Sequence, residues 1–282
     1  MFINLFNGLV YGALLIIMCS GLALIFGLRR VINFAHGGLY MLGAYIGWTV
    51  ALKTNFWGGL IAAPLVMGWL GVAMDRWGFR LLQDRDPLVV VLVTFGALLI
   101  IEDAVRTIWG SNNYSMDGPK ELAYSLHVFG EELPVYRIGV IIVGAAVALG
   151  LTLWLRFSKL GLFVRAASVD PSTTAMQGVN TDALSALVVG VGTGLAGLAG
   201  VVAAPFLSLA PSMSAEIVLD SFVVVITGGL GSLAGAFIAA IVLGLVQTFG
   251  TVYVPEIAVL LPFLLMAAVL LWRPSGIAGN RT

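Results

Sequence analysis

Charge is scarce in this sequence. Of its 282 residues 10% are Asp, Glu, Lys or Arg, while 60% are hydrophobic and the mean hydropathy is +1.05. Soluble domains carry roughly a quarter charged residues, so a water-facing surface around the whole fold is excluded. Fourteen basic and fourteen acidic side chains cancel, which leaves no electrostatic footprint for nucleic acid. Cysteine occurs once, at Cys19, so no disulfide forms within the chain and no cysteine metal cluster can be built. Cys19 is expected as a small buried packing residue. Only two histidines occur, His36 and His127, far apart in sequence. The phosphate loop Gly-x-x-x-x-Gly-Lys-Ser/Thr, the His-Glu-x-x-His pair and Cys-x-x-Cys are all missing. No catalytic residue, metal site or cofactor is therefore assigned to this chain, and an enzyme is not expected.

Long apolar runs are abundant. Phe2 to Leu28 holds no charged side chain, more than the roughly 20 residues that cross a bilayer. The run exceeds a signal peptide and lacks a basic leader, so it reads as a permanent span. Reading apolar runs against charged punctuation gives spans near 3–28, 32–52, 57–74, 87–106, 136–155, 183–207 and 257–272. The stretch 217–250 has no Lys or Arg and is interrupted at Gly228-Gly229-Leu230-Gly231-Ser232. It reads as a short inward segment near 217–230 and a return helix near 233–250. A membrane-embedded backbone must satisfy its own hydrogen bonds, and runs this long are helices rather than barrel strands. The fold class is thus all-α: a polytopic transmembrane helical bundle of about eight full spans plus a short or re-entrant segment, in one domain, 1–282.

Basic residues orient such bundles. Placing the loop 156–182 in the cytoplasm puts Arg29, Arg30, Arg76, Arg80, Arg85, Arg156, Lys159, Arg165, Arg273 and Arg281 on that side, against Lys53, Arg106, Lys120 and Arg137 outside. The N-terminus is then outside and the C-terminus cytoplasmic. The outer loop 107–135, with Asp117, Glu121, Glu131 and Glu132, is expected to form a small cap over the entrance.

Two segments carry unusual polarity. In the first, Asn33 and His36 enter a hydrophobic span just past Arg29 and Arg30, where polar groups are costly unless paired or facing a cavity. They either tie helices together or line the route across the membrane. Gly37-Gly38 and Gly228-Gly229 begin weakly similar stretches, Gly37–Ile46 and Gly228–Ile238. Matched glycine-interrupted segments point to a central transporter site. The two breaks are expected to approach each other inside the membrane, with Asn33, His36, Tyr40 and Ser232 nearby. Helix N-termini freed there could receive a substrate carboxylate, since no Lys or Arg sits in the middle of any span. Glu102 and Asp103 are read as helix-end or interface residues. An ion-coupled carrier would need carboxylates deep in the membrane, and only end-placed ones are expected.

The second segment is the loop from Gly161 to Asp182. Asp170 suits an N-cap, Pro171 a first turn and Gly178 a left-handed stop, so the spacing predicts a short helix outside the membrane. Asn180 or Thr181 can cap the next span. On these residues alone the helix is either a docking element or a connector.

The strings Gly8-Leu9-Val10-Tyr11-Gly12-Ala13, Gly21-Leu22-Ala23-Leu24-Ile25-Phe26-Gly27 and Val31-Ile32-Asn33-Phe34-Ala35-His36-Gly37 resemble the opening of the LivH-type permeases of branched-chain amino acid ABC importers. The segments from Arg165-Ala166-Ala167 to Gly178-Val179-Asn180, Gly194 to Gly200 and Gly228 to Ala236 are similar to that family as well. The resemblance implies a permease in the bacterial inner membrane, paired with a second, related permease (or a second copy). It implies two cytoplasmic ATPase subunits that bind the ATP, and a periplasmic substrate-binding protein. It also implies that Arg165, Asp170, Pro171, Ala175 and Gly178 belong to the loop that meets the ATPase. Asn33, His36, Gly37, Gly38, Tyr40, Gly228, Gly229 and Ser232 are the residues expected along the translocation path. Substrates of the wider family include amino acids, urea, short amides and aromatic acids.

The orientation is open to direct test. In a Cys19→Ser background, a Ser125→Cys chain should react with an impermeant thiol reagent outside sealed cells, whereas a Ser172→Cys chain should not. Labelling of the latter would invert the topology.

Overall fold

The computed structural model describes every residue except Ile32, Gln83, Asp84, Phe129 and 280–282. Ile32, where the second span was expected to begin, and Arg281, one of the ten cytoplasmic basic residues, lie outside the described residues. Eleven α-helices follow in order among the described residues: α1 (Phe2–Arg29), α2 (Ala35–Lys53), α3 (Phe56–Trp77), α4 (Pro87–Trp109), α5 (Val135–Phe157), α6 (Lys159–Val169), α7 (Pro171–Met176), α8 (Thr181–Ala203), α9 (Met213–Gly228), α10 (Leu233–Tyr253) and α11 (Leu261–Trp272). Seven are long and apolar enough to cross a membrane: α1, α3, α4, α5, α8, α10 and α11 with the 3-10 turn that precedes it. The 19-residue α2 is not among these seven, because glycine, tyrosine and His36 make it less apolar. At 16 residues α9 is the short element. The chain is therefore an all-α polytopic bundle of the expected kind.

Two departures are local. The loop between α4 and α5 holds a small antiparallel hairpin, β1 (Ser125–Val128) with β2 (Glu131–Pro134), in which Ser125 faces Pro134. The expected span 183–207 stops at Ala203, and residues 204–212 leave the helix to pair with the α4–α5 loop through Tyr114 and Leu209. Both backbone hydrogen bonds between these two residues form, at 2.9 and 2.8 Å. The α4–α5 loop thus covers the start of α9.

Burial separates an inner pair of helices from an outer ring. Helices α1 and α8 are enclosed along most of their length. By contrast, α3, α4, α5 and α11 expose large apolar side chains such as Trp69, Leu65, Ile100, Ile142 and Leu271, as lipid-facing helices do. The inner helices touch backbone to backbone. A Cβ on Gly21 would sit 2.3 Å from the carbonyl oxygen of Gly192, so only glycine fits that crossing. In membranes helix association relies on such close packing, because lipid removes the hydrophobic drive between helices.

One end of the bundle is basic. Arg29, Arg30, Arg76, Arg80, Arg85, Arg156, Lys159, Arg165 and Arg273 lie there, with Lys53, Arg106, Lys120 and Arg137 at the other end. At the basic end Asp75, fully buried near the end of α3, accepts from Arg29 at 2.8 Å, from Arg80 at 3.3 Å and from the Ser185 hydroxyl at 2.8 Å. Arg80 also reaches Asp182 at the start of α8. One carboxylate therefore ties α1, α3 and α8 together. Removing it takes the carboxylate away from the largely buried Arg29 guanidinium, a loss of about 3–5 kcal/mol by analogy with other buried pairs. Asp75→Ala should lower the melting temperature and membrane yield, whereas Asp182→Ala, at an exposed carboxylate, should change neither measurably.

Candidate functional site

Three helices converge in the interior where α1 passes the start of α2 and the middle of α9. Arg30 ends α1 in the left-handed conformation, φ 53°, and the chain runs back into the bundle before α2 starts at Ala35. His36 places Nε2 3.2 Å from the carbonyl oxygen of Met18, in the middle of α1. A carbonyl accepts only, so Nε2 carries the proton, and among the described residues Nδ1 has no hydrogen-bond partner. Asn33 is fully buried, and among the described residues neither of its side-chain polar atoms has a partner. Between them, Phe34 packs on Phe222 of α9, with ring centroids 4.6 Å apart, and on Phe95 of α4. One turn beyond His36, Tyr40 is buried as well.

Across this junction Tyr11 donates to Asp220 Oδ2 at 2.5 Å. Tyr11 is the tenth residue of the 28-residue α1, about 13 Å from one end and about 27 Å from the other. Asp220 is the eighth of sixteen in α9. This carboxylate is deep in the bundle, contrary to the expectation that carboxylates occupy only span ends. The same contact sets Cys19, buried as expected, 4.0 Å from the Ser221 carbonyl oxygen. Glu102 hydrogen-bonds the Ser214 hydroxyl and lies 3.9 Å from Arg106, so it is an interface residue between α4 and α9.

The two glycine pairs do not meet. Gly37 and Gly38 lie inside α2 rather than at a break. A Cβ on Gly37 would come 2.4 Å from the Ser214 carbonyl oxygen and 2.8 Å from Val218 Cβ, so this glycine lets α2 cross the start of α9. Gly228 and Gly229 close the far end of α9. Fourteen residues, about 21 Å of helix, separate Ser214 from Gly228. There Gly229 (φ 106°) and Gly231 (φ 83°) turn the chain at the basic end, and Ser232 caps α10 by accepting from the Gly235 amide. The similar stretches thus begin at different places, one in the first turn of α2 and the other at the last residue of α9. The true break before α2, at 30–34, had no glycine to mark it.

At the basic end, α6 and α7 project after α5. Asp170 caps α7: Oδ1 accepts the Ser172 and Thr173 amides and the Ser172 hydroxyl, and Oδ2 the Thr173 hydroxyl. Hydrogen bonds from the Ser172 and Thr173 side chains, then the Thr173 amide, hold this carboxyl well below the usual carboxylate range. Because its folded value is depressed, the cap's contribution is complete at neutral pH and is lost only as pH falls through that depressed value. Pro171 occupies the first turn, and Gly178 (φ 83°) stops the helix. Asn180 then caps α8 through the Ala183 amide. Arg165, Ala175 and Met176 are exposed, Met176 at 84%.

Seven helices long and apolar enough to cross a membrane, with a buried polar junction and a projecting capped helix among them, make this a polytopic membrane protein. A family described as branched-chain amino acid transport system, permease component, matches residues 4–270. The chain belongs to that family. It is 26% identical to the high-affinity branched-chain amino acid permease LivH of Salmonella typhimurium, over 98% of this chain and 95% of the other. It is 29% identical to the permease BraD of Pseudomonas aeruginosa over the same shares. The ribose import permease RbsC of Escherichia coli is 26% identical over 86% of this chain and 75% of its own. No solved structure matches.

The glycine geometry separates two kinds of variant. A side chain at Gly229 would need φ 106° and would place its Cβ within 3 Å of the backbone at Ser275 and Gly279. Gly229→Leu should therefore reduce inserted protein severalfold, with transport per inserted molecule near normal. Quantitative immunoblotting alongside uptake checks this, and normal insertion with lost uptake would return Gly229 to the path.

Proposed function

We propose that this chain is the permease subunit of an ABC importer for a small polar solute, with branched-chain or other amino acids as the best-fitting class. The observation that carries the proposal is the projecting, capped α7. A six-residue helix fixed by four hydrogen bonds to Asp170 and tipped by the exposed Met176 has the form of a docking knob rather than of a slack connector. Nine basic residues around it favour the cytoplasmic side. That side puts the N-terminus outside and the C-terminus inside the bacterial inner membrane, and two ATPase subunits that bind ATP beneath α7. A second related permease, or a second copy, completes the path, and a periplasmic binding protein delivers substrate to the end covered by the α4–α5 loop. Asn33, His36 and Tyr40 are the path residues that the interior geometry favours, because their polar groups sit where three helices meet. Membership of the family and the names of LivH and BraD support amino acids, while the similarity to a ribose permease supports keeping another small polar solute as the alternative.

Asp220 favours one rival, an ion-coupled carrier, since such a carrier needs a deep carboxylate. One experiment separates the two. The complex with its ATPase, in proteoliposomes, should take up an amino acid only with ATP, and a protonophore should have no effect. Ala175→Arg should insert normally and abolish substrate-stimulated ATP hydrolysis, because overpacking a tight contact costs about 1–3 kcal/mol, about tenfold or more in assembly. Normal coupling in that variant would make α7 a connector.

A further inference from the structure

A cavity of about 590 Å³ opens at the basic end of the bundle, where α1, α5, α9 and α11 end and α10 begins. Its lining is of two kinds. Ala23, Leu24, Leu155, Val164, Leu233 and Leu270 form apolar walls, and Arg30, Arg165, Ser168 and Ser275 supply the polar groups. Ala23 lies six residues before Arg29, the last residue of α1, so the apolar part reaches about 9 Å below the helix end. Both arginines are exposed. Among the described residues no Asp or Glu lines the cavity, and neither guanidinium has a carboxylate within ion-pair distance. Arg30 donates to the Ser168 carbonyl oxygen at 3.4 Å. Arg30 is also the one non-glycine residue with positive φ, 53°, among those described. Glycine would take that position without strain, so an arginine held there points to a use for its side chain.

We propose that this cavity seats an anionic phospholipid, with Arg30 and Arg165 on its phosphate and the upper part of its chains against Leu155, Leu233 and Leu270. The two-part lining selects this occupant. Guanidinium groups match phosphate oxygens with paired donors, and basic pockets between spanning helices at a membrane surface hold such headgroups. Two cations without a carboxylate favour an anionic lipid over a zwitterionic one. A free phosphate would leave the apolar walls facing water. Leu155 and Leu270 belong to α5 and α11, whose Leu153 and Leu271 are exposed as lipid-facing residues are, so a lipid has access from the side. Held there, it joins α6, and α7 directly after it, to α1 and α11. The assignment needs only a bundle in a membrane, and goes beyond the reading of the chain as a solute permease.

The test follows the melting temperature of the full chain, purified in detergent and stripped of lipid, as phosphatidylglycerol or phosphatidylcholine is added. Phosphatidylglycerol should stabilise it at about tenfold lower concentration, the scale expected of two arginines near an anionic headgroup. Arg30→Gly combined with Arg165→Gln should make the two lipids equivalent. Glycine suits the left-handed backbone and Arg165 is exposed, so this variant should fold, and either single change should weaken the preference. Arg156→Gln, at the same end but outside the cavity, should keep it. Equal responses to the two lipids in the unaltered chain, or a preference that survives loss of both arginines, would overturn the site. Inorganic phosphate that stabilises as well as phosphatidylglycerol would make the occupant a free anion and overturn the lipid. Native mass spectrometry of the complex with its ATPase should find the lipid still bound. Its loss on assembly would give the cavity to an acidic side chain of the ATPase and overturn the proposal. If no ATPase joins the chain, the proposed function fails, and the lipid titration still decides this site.

Discussion

The route of α1 through the centre of the bundle governs where every polar group in the interior can be. Gly21 lies against Gly192 of α8, and a Cβ on Gly244 of α10 would come 2.5 Å from the Gly8 carbonyl oxygen. Contacts this close leave no slack in position or rotation. Dispersion between touching backbones is the chief attraction available, since lipid chains are as apolar as the side chains they would replace. With α1 fixed in this way, Met18 presents its carbonyl to His36, Cys19 meets Ser221 and Tyr11 faces Asp220. The polar junction is a consequence of glycine packing elsewhere on the same helix.

The spans were legible because charge is scarce, so each charged cluster punctuates. Gly228-Gly229 was read correctly as an interruption, and α9 and α10 lie close to the expected 217–230 and 233–250. Depth was the part the sequence did not disclose. Nothing local distinguishes Gly37, which admits a crossing helix, from Gly229, which turns the chain. The interruption before α2 passes through Arg30 in a conformation that favours glycine, so composition pointed to the wrong residues. Asp220 did leave a signal, as the single acidic residue between 217 and 250 with Glu216 four positions earlier. A search for Lys and Arg alone passes over it. Its partner is 209 positions away in sequence, and no spacing rule joins them.

At the basic end the projecting helix α7 is mechanically continuous with the spans. Arg30, at the end of α1, donates to the Ser168 carbonyl oxygen in the last turn of α6 at 3.4 Å. Only four residues separate α7 from α8, and Asn180 among them is already the cap of α8. The buried Asp75 then joins α8, through Ser185, to α1 and α3. A force on α7 thus meets α1 and α8, the two innermost helices, through hydrogen bonds and a buried ion pair rather than through flexible chain. A contiguous network of that kind is the physical requirement for coupling between distant sites.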